Sequence, residues 1–263
     1  MPENFANLSL GSQDITAKMP SSSPIRLQLK TIDDGYTPKG GITYVASIVN
    51  TSFNSIRDAM LFTDLGSHDG KKTLSLCGRG KLYVNGEFSG EIEGREEEGF
   101  AVFKILRIGT NDNINLWFKA KPTTYAGLET GSVIKNRVSL KANGLEKNGE
   151  AEVVTPVECY TDIIMFKAQN TDQSDMVYLV YNLYNYGNTA ATDTVLTDTF
   201  SPPVFITGVF VDENPVKVTD YTYINGAVRL PGIAVPSATF NRTPSGEVVT
   251  YPGKTEVTIS ARP

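Results

Sequence analysis

Residues 177–184 alternate in a way that predicts a strand with two different faces. At a period of two, one face carries Val177, Leu179, Tyr181 and Leu183, and the other carries Tyr178, Val180, Asn182 and Tyr184. The Asn-Tyr-Gly-Asn run at residues 185–188 favours a turn, because glycine and asparagine tolerate the positive φ that turns need. A second strand is predicted to follow at residues 194–197.

The same succession of features occurs earlier in the chain. Residues 41–50 form an alternating stretch with a tyrosine near its start, and a polar turn follows. Residues 60–64 then end in Thr63-Asp64, just as the later stretch ends in Thr197-Asp198. We therefore predict that the chain is an internal duplication.

Short alternating segments separated by turn signals fill both copies, which is typical of antiparallel sandwiches. Asn85-Gly86 between two such segments favours a hairpin with a type I′ turn. The pattern predicts an all-β protein with two immunoglobulin-like antiparallel β-sandwich domains in tandem. Their predicted bounds are residues 25–157 and residues 160–263, preceded by an N-terminal arm at residues 1–24.

The two copies differ at their ends. The first copy closes with alternating segments at residues 131–140 and 151–154, and no segment of the second copy plays that part. We therefore expect the second sandwich to lack its closing strand.

The arm combines polar residues and a Pro-Ser-Ser-Ser-Pro end with a few apolar side chains: Phe5, Leu8, Leu10 and Ile15. Such a segment is often a disordered tail. The other hypothesis is that it adds a strand to the unfinished sheet of a neighbouring subunit, with Phe5, Leu8 and Leu10 filling a groove. Because a head-to-tail contact does not close on itself, strand donation would generate a filament.

Composition narrows the classes of function. The chain has 263 residues and a net charge of −5, without a lysine- and arginine-rich stripe, so a nucleic-acid partner is not expected. No run of about 18 apolar residues occurs, so no membrane helix is predicted. The N-terminus has neither a basic start nor an apolar core, and we expect no secretory signal.

Candidate catalytic and metal-binding residues are sparse. His68 is the one histidine and lies in a Gly/Ser/Asp turn, with no serine or cysteine nucleophile motif to accompany it. Asp33-Asp34 and residues 111–113 offer oxygen ligands, but their spacing is ordinary for turns. We predict no enzyme activity, no cofactor and no metal.

The residue types are compatible with two kinds of covalent link. Cys77 and Cys159 are either free thiols or cross-links between subunits. Lys30 on the first strand and Asn136 on the closing strand, with Asp64 or Asp58 as the assisting carboxylate, have the residue types of an isopeptide bond. The alternative is that Lys30 points to solvent.

The outer face of the central strand in the second copy is a candidate subunit contact. Tyr178, Val180 and Tyr184 stand where the first copy has Thr43, Val45 and Val49, so the outer face of the second copy is expected to be more apolar. Exposed aromatic patches of this kind mark interfaces. The alternative is that the protein's own loops or the first copy cover this face.

The repeated motifs resemble a known family. They are Tyr44, Asn50, Thr63-Asp64 and the Gly131 to Asn136 segment in the first copy, and Tyr178, Asn185, Gly187, Thr197-Asp198 and Asn225-Gly226 in the second. This set is similar to the bacterial conserved surface repeat called domain of unknown function eleven. The resemblance covers nearly the whole chain after residue 25.

Two copies in a chain of this size resemble the subunit of ribbon-like appendages on endospores of anaerobic bacteria. The resemblance implies a structural subunit whose partner is itself, together with other appendage or spore-coat proteins. It also implies synthesis in the mother-cell cytoplasm and a final place on the spore surface or in an extracellular appendage. The alternative function is a monomeric adhesive or carbohydrate-binding surface module.

Overall fold

The computed structural model describes residues 25–68, 71–72, 74–97, 99–122, 127–143, 145, 149–171, 176–244 and 247–263. The predicted arm, with Phe5, Leu8, Leu10 and Ile15, lies outside the described residues. Within the described ranges, no helix is long and apolar enough to cross a membrane.

Two compact units divide the chain. The first consists of residues up to Ala126 and Gly131–Glu158, and the second consists of Gly127–Thr130 and Cys159–Pro263. The short segment Gly127–Thr130 therefore belongs to the second unit, although the sequence analysis assigned it to the first domain. Asn188 fixes this segment, since its Nδ2 donates to the Leu128 carbonyl at 3.1 Å and its carbonyl accepts from Thr130 Oγ1 at 3.1 Å.

The strands of the first unit are β1 (Ile25–Thr31), β2 (Ile42–Asn50), β3 (Ile56–Thr63), β4 (Ser67–His68), β5 (Lys71–Lys72), β6 (Ser75–Val84), β7 (Glu87–Ile92), β8 (Gly94–Glu97), β9 (Phe100–Ile108), β10 (Asn113–Lys121), β11 (Val133–Lys141) and β12 (Gly149–Pro156). One sheet has the order β1-β2-β10-β6-β7. The other has the order β5-β4-β11-β3-β9-β8, with β12 paired to β11. Apolar side chains from both sheets fill the space between them, among them Leu27, Ile48, Leu61, Phe103, Phe118 and Val138.

The strands of the second unit are β13 (Ile163–Thr171), β14 (Val177–Asn185), β15 (Ala191–Thr199), β16 (Phe205–Val211), β17 (Asn214–Pro215), β18 (Thr222–Ile224), β19 (Ala227–Val235), β20 (Thr239–Arg242), β21 (Val248–Tyr251) and β22 (Gly253–Arg262), with a 3₁₀ turn at Val218–Asp220. One sheet has the order β13-β14-β22-β16-β17. It faces a sheet of order β15-β19-β18, and β20 and β21 form a separate hairpin. The predicted all-β fold with two antiparallel sandwiches is confirmed.

The two units share the architecture of their first sheet. The order β1-β2-β10-β6-β7 corresponds strand by strand to β13-β14-β22-β16-β17. Buried asparagines end both central strands: Asn50 faces Ile25 and Asn185 faces Ile163 in the strand registers. The predicted type I′ turn is also present, since Asn85 and Gly86 have φ of 52° and 88° between β6 and β7.

Candidate functional site

The main difference between the units lies on the inner face of their first strands. Leu27 in β1 pairs with Ile48, two residues before Asn50, and Met165 in β13 pairs with Leu183, two residues before Asn185. Leu27 and Met165 therefore hold equivalent positions. Leu27 is 0% exposed, whereas Met165 is 47% exposed.

In the first unit, the closing strands cover this inner face. Gly149 at the start of β12 packs on Leu27, with 3.3 Å between an ideal Cβ at the glycine and the Leu27 Cβ. The buried residues Ala151 and Val153 continue that face of β12. No strand of the second unit, within its described residues, takes the place of β11 and β12.

Among the described residues, the same difference leaves one edge of the second sheet unpaired. In the first unit β3 pairs with β9 on one side and with β11 on the other. In the second unit the described residues pair β15 with β19 alone. We use the term open groove for the inner face of β13 at Met165, Lys167 and Gln169, together with the free edge of β15.

A polar contact joins the two sides of the open groove. Lys167 Nζ forms an ion pair with Asp198 Oδ2, and the same carboxylate oxygen accepts a hydrogen bond from the Tyr181 hydroxyl at 2.5 Å. Lys167 and Tyr181 are opposite each other in β13 and β14, and the ammonium lies 5.5 Å from the Tyr181 ring centre. Three side chains from three strands thus meet at one point.

Burial and hydrogen bonding act in opposite directions on the carboxyl of this group. Partial burial raises the pKa of Asp198, but hydrogen bonds from Lys167 and Tyr181 outweigh it and leave the pKa below its usual value. Burial, and then the adjacent carboxylate, raise the pKa of Tyr181 well above its usual value. At neutral pH Asp198 is therefore an anion and Tyr181 keeps its hydroxyl proton.

Lys167 is not among the site residues predicted from the sequence. It stands at the inner-face position that Leu29 fills in β1, since Leu29 pairs with Ala46 and Lys167 with Tyr181. Inward positions of such a strand are normally apolar, so a lysine at one of them is the sequence signal that could have identified Lys167.

The outer face of the same sheet carries the predicted contact residues. Tyr178, Val180 and Tyr184 are half-buried on the outer face of β14. The Tyr184 ring lies 5.8 Å from that of Phe166, which is 59% exposed on β13. Ile164, also on the outer face of β13, is exposed as well, so the apolar surface extends beyond the residues that the sequence analysis named.

The first unit has an aromatic surface of its own. Tyr83 lies 5.5 Å from Phe88 and 6.0 Å from Trp117, measured between ring centres. Phe88 and Trp117 are both exposed, and Asn115 lies opposite Tyr83 in the strand register. We call Tyr83, Phe88 and Trp117 the aromatic platform.

The residues considered for an isopeptide bond are not brought together. Lys30 is exposed on the outer face of β1, whereas Asn136 is fully buried and its Oδ1 accepts from Thr63 Oγ1 at 2.8 Å. Asp58 is exposed and pairs with Lys104 at 2.9 Å. The structure therefore favours the alternative in which Lys30 points to solvent.

Asp64 has a structural environment at the junction of β3 and β11. Its Oδ1 accepts hydrogen bonds from the backbone of Arg137 at 3.0 Å and of Gly66 at 3.2 Å. Burial raises the pKa of Asp64, and these two hydrogen bonds offset the rise only in part. The carboxylate thus ties two strands together.

The remaining predicted positions carry little chemistry. Cys77 and Cys159 are both exposed free cysteines, one in each unit. His68 Nδ1 lies 2.9 Å from the Val133 carbonyl. In the part of the chain that the structure describes, no group of three or more histidine, cysteine, aspartate or glutamate side chains could hold a metal ion.

Comparison with known proteins gives a general likeness only. The sequence matches no protein-family model and no curated protein. Among solved structures it is similar to BcpA, the major pilin subunit of Bacillus cereus, at 11% identity and a TM-score of 0.38, over 88% of this chain and 66% of that one. A single-residue variant of BcpA gives 11% identity, a TM-score of 0.37 and coverage of 88% and 65%.

The adhesin CfaE of enterotoxigenic E. coli is a more distant neighbour, at 10% identity and a TM-score of 0.23, over 97% of this chain and 81% of that one. The chain spans slightly less than two thirds of the length of BcpA. These neighbours are pilin and adhesin proteins rich in β-strands. Membership of the surface repeat family remains a prediction.

Proposed function

We propose that this protein is a structural subunit that assembles with copies of itself, and that the open groove of one chain receives the N-terminal arm of another. The supporting observation is the exposure of Met165 at the position where Leu27 is fully buried. In the first unit that position is covered by a strand of the same chain. In the second unit no strand among the described residues covers it, and the arm of another chain is the strand that we propose for this place.

Two physical gains favour occupation of the groove. Met165 is 47% exposed, so covering the rest of its side chain is worth roughly 1 kcal/mol, about half of the gain from burying a fully exposed one. The free edge of β15 gains main-chain hydrogen bonds, which an unpaired edge otherwise makes to water or to stray partners. The arm offers Leu8 and Leu10 on one face of an extended segment.

The contact is head-to-tail, because the arm and the groove are different surfaces of the same chain. A heterologous contact of this kind generates an open filament unless its rotation happens to close a ring. The outer face at Phe166 and Tyr184 supplies a second, flat apolar surface, which suits lateral contact between filaments. The place that we propose for such a fibre is the spore surface or an extracellular appendage, on the basis of the family resemblance.

Negative-stain microscopy and size-exclusion chromatography of the purified chain test this function. We expect filaments from the full chain and monomers from a version that lacks residues 1–24. In a full-length pair of variants, Leu8→Asp with Leu10→Asp should abolish filaments, whereas the matched control Asn7→Asp with Ser9→Asp should keep them. Monomers from the unaltered chain at all salt and redox conditions would exclude self-assembly.

The aromatic platform supports a second candidate function, that of a carbohydrate-binding surface module. Aromatic faces stack on apolar surfaces, and Asn115 beside Tyr83 offers hydrogen bonds to hydroxyl groups. Trp117 is the one tryptophan of the chain, so its fluorescence reports directly on this surface. A saturable fluorescence change with a glycan panel that is lost in Phe88→Ala would support this function, and a panel without effect would exclude it.

A further inference from the structure

The closing strand of the first unit shows which pattern of residues fits over an inner face of this kind. Along β11, the inward positions are Ile134, Asn136, Val138 and Leu140, all of which are buried. The polar member, Asn136, accepts its hydrogen bond from Thr63 on the neighbouring strand β3. A closing strand in this fold thus presents one carboxamide followed by two apolar side chains at a period of two.

The second unit has a polar inner-face residue at the corresponding point of its open edge. On β3 the last inward pair is Leu61 and Thr63, and on β15 it is Leu196 and Asp198. In the strand registers, Leu61 faces the buried Phe103 of β9 and Leu196 faces the buried Leu230 of β19. Asp198 therefore occupies the position from which Thr63 contacts the closing strand.

The arm carries the closing-strand pattern. At a period of two, one face of an extended arm carries Asn4, Ala6, Leu8 and Leu10. The first three match the inward residues Asn136, Val138 and Leu140 of β11: an asparagine, then a small or branched apolar residue, then a leucine. Phe5, Asn7 and Ser9 share the opposite face. If that face pointed inward instead, the polar side chains of Asn7 and Ser9 would lie against Leu196 and Met165. The face with Leu8 and Leu10 is therefore the one that points inward.

Resting on the proposed function, we propose that residues 2–10 of one chain lie antiparallel along β15 of a second copy in a single register, with Leu8 opposite Leu196 and Ala6 opposite Asp198. This register repeats that of β11 on β3, where Leu140 lies opposite Leu61. Leu8 then takes the inward place of Leu140, which adjoins Gly149 above Leu27 in the first unit. Phe5 lies on the outer face rather than in the groove.

The carboxamide of Asn4 is the specificity element of this register. It lies two residues before Ala6, as Asn136 lies two residues before Val138, and so reaches the Lys167–Asp198 pair. A neutral carboxamide both donates and accepts hydrogen bonds, so its amino group can bind the carboxylate while its oxygen accepts from the ammonium. No charge is added to a pair that is already neutral overall.

Disulfide trapping tests the register. In a background with Cys77→Ser and Cys159→Ser, the pair Asn7→Cys and Thr197→Cys places two thiols opposite each other on the outer face. Opposite residues of an antiparallel pair have Cα atoms about 4.5–5.5 Å apart, within disulfide range. The control pair, Asn7→Cys with Val195→Cys, is offset by two residues, and diagonal neighbours are about 7–8 Å apart.

After mild oxidation of assembled protein, we expect a ladder of covalent multimers on a non-reducing gel from the matched pair and monomers from the offset pair. Mixing chains that carry Asn7→Cys alone with chains that carry Thr197→Cys alone should give dimers, which proves that the link joins two molecules. Each single variant by itself should stay monomeric on the gel. A disulfide confined to one chain would overturn the head-to-tail contact.

The outcomes separate this inference from the proposed function. Filaments that form normally but link only through the offset pair, or through neither pair, would overturn the register and leave self-assembly standing. Absence of filaments from the cysteine-free background and from the unaltered chain would overturn self-assembly itself.

A matched pair of asparagine substitutions tests the carboxamide. Asn4→Ala should raise the concentration needed for assembly about tenfold, because a hydrogen bond to a charged group is lost. Asn7→Ala removes the same side chain from the outer face and should leave that concentration unchanged. Equal effects of the two substitutions, or none from Asn4→Ala, would overturn the role of Asn4.

Discussion

Gly226 and Phe200 are held together by their backbones in the second unit. The Phe200 N–H donates to the Gly226 carbonyl at 2.8 Å, and a Cβ on Gly226 would lie 2.8 Å from the Phe200 carbonyl oxygen. Gly226 has a φ of +83° in the Asn-Gly turn between β18 and β19, whereas Gly86, with a φ of +88° in the Asn-Gly turn between β6 and β7 of the first unit, has open space around it. The two glycines thus form a natural comparison.

We predict that Gly226→Ala destabilises the fold more than Gly86→Ala does. Both substitutions place a side chain in the left-handed region, at a cost of about 1–2 kcal/mol. Gly226→Ala also forces a contact that costs roughly a further 1–3 kcal/mol. Urea denaturation followed by far-UV circular dichroism measures both values, and equal losses would show that the close approach to Phe200 is unimportant.

Asn185 is predicted to be essential for the second unit. Its Nδ2 donates to the carbonyls of Thr189 at 2.8 Å and Pro236 at 3.0 Å, and its Oδ1 accepts from the backbone of Gly187 at 2.8 Å. Asn185→Ala leaves several buried backbone groups unsatisfied, at about 1–3 kcal/mol for each group. We expect a loss of more than about 3 kcal/mol in the free energy of unfolding, with the exposed Asn170→Ala within about 0.5 kcal/mol of the unaltered protein.

We predict that protonation of Asp198 contributes to the loss of stability at low pH. Its pKa is lower in the folded state than in the unfolded chain, so its contribution is present above the unfolded value and is lost as the pH falls through the folded value. Between pH 6 and pH 3, the chain lacking residues 1–24 should lose more stability than its Asp198→Asn variant. The difference should stay below about 1 kcal/mol, because Lys167 is partly exposed and solvent screens the pair. Parallel pH profiles for the two proteins would contradict the lowered pKa.

Intact mass spectrometry should return the mass calculated from the sequence. An isopeptide bond between Lys30 and Asn136 releases one ammonia, and the exposed lysine does not reach the buried asparagine. Lys30→Ala should therefore leave both mass agreement and thermal stability unchanged. A deficit of one ammonia that Lys30→Ala abolishes would contradict this expectation.

Phe166 is predicted to act in lateral contacts and not in filament growth. Its ring is exposed on the outer face of β13, away from Met165 and Lys167 on the inner face. Phe166→Ser should give single filaments where the unaltered protein gives bundles or ribbons, visible by negative-stain microscopy. Phe88→Ser, which removes an equally exposed ring from the first unit, serves as the control. Loss of single filaments in Phe166→Ser would assign the outer face to growth instead.

Much of the fold could be predicted from the sequence because its signals are local. The alternation of residues 177–184 gave β14 and its two faces, and Asn85-Gly86 gave a hairpin turn from the conformational preference of two residues. The expectation that the second copy has no counterpart of β11 and β12 rests on an absence of alternating segments, and no strand among the described residues of the second unit takes their place. These features need no knowledge of distant contacts.

The phase of β15 could not be predicted in the same way. The sequence motif aligns Thr63-Asp64 with Thr197-Asp198, yet the structure turns Thr63 inward in the first unit and Asp198 inward in the second. A shift of one residue exchanges the faces of a strand. The pairing of β15 with β19 contains register shifts, and these depend on contacts between distant segments, beyond the reach of a local pattern.

Long-range contacts also determine the domain boundary and the polar group of the open groove, which were not predicted from the sequence. The assignment of Gly127–Thr130 to the second unit rests on hydrogen bonds with Asn188, which is about sixty residues away along the chain. The Lys167–Asp198–Tyr181 group joins three strands whose order in space follows from the topology. The lysine at an inward position of β13 could be noticed from the sequence, but the partners in both contacts could not.

The order of the two units has a consequence for growth. Among the described residues the first sandwich has closing strands and the second does not, so the polymer that we propose would have two unlike ends: a vacant groove at one and an unused arm at the other. Such a fibre has a direction, and its subunits can be added differently at each end. A synthetic peptide of residues 1–10 would then act as a chain terminator at the groove end alone.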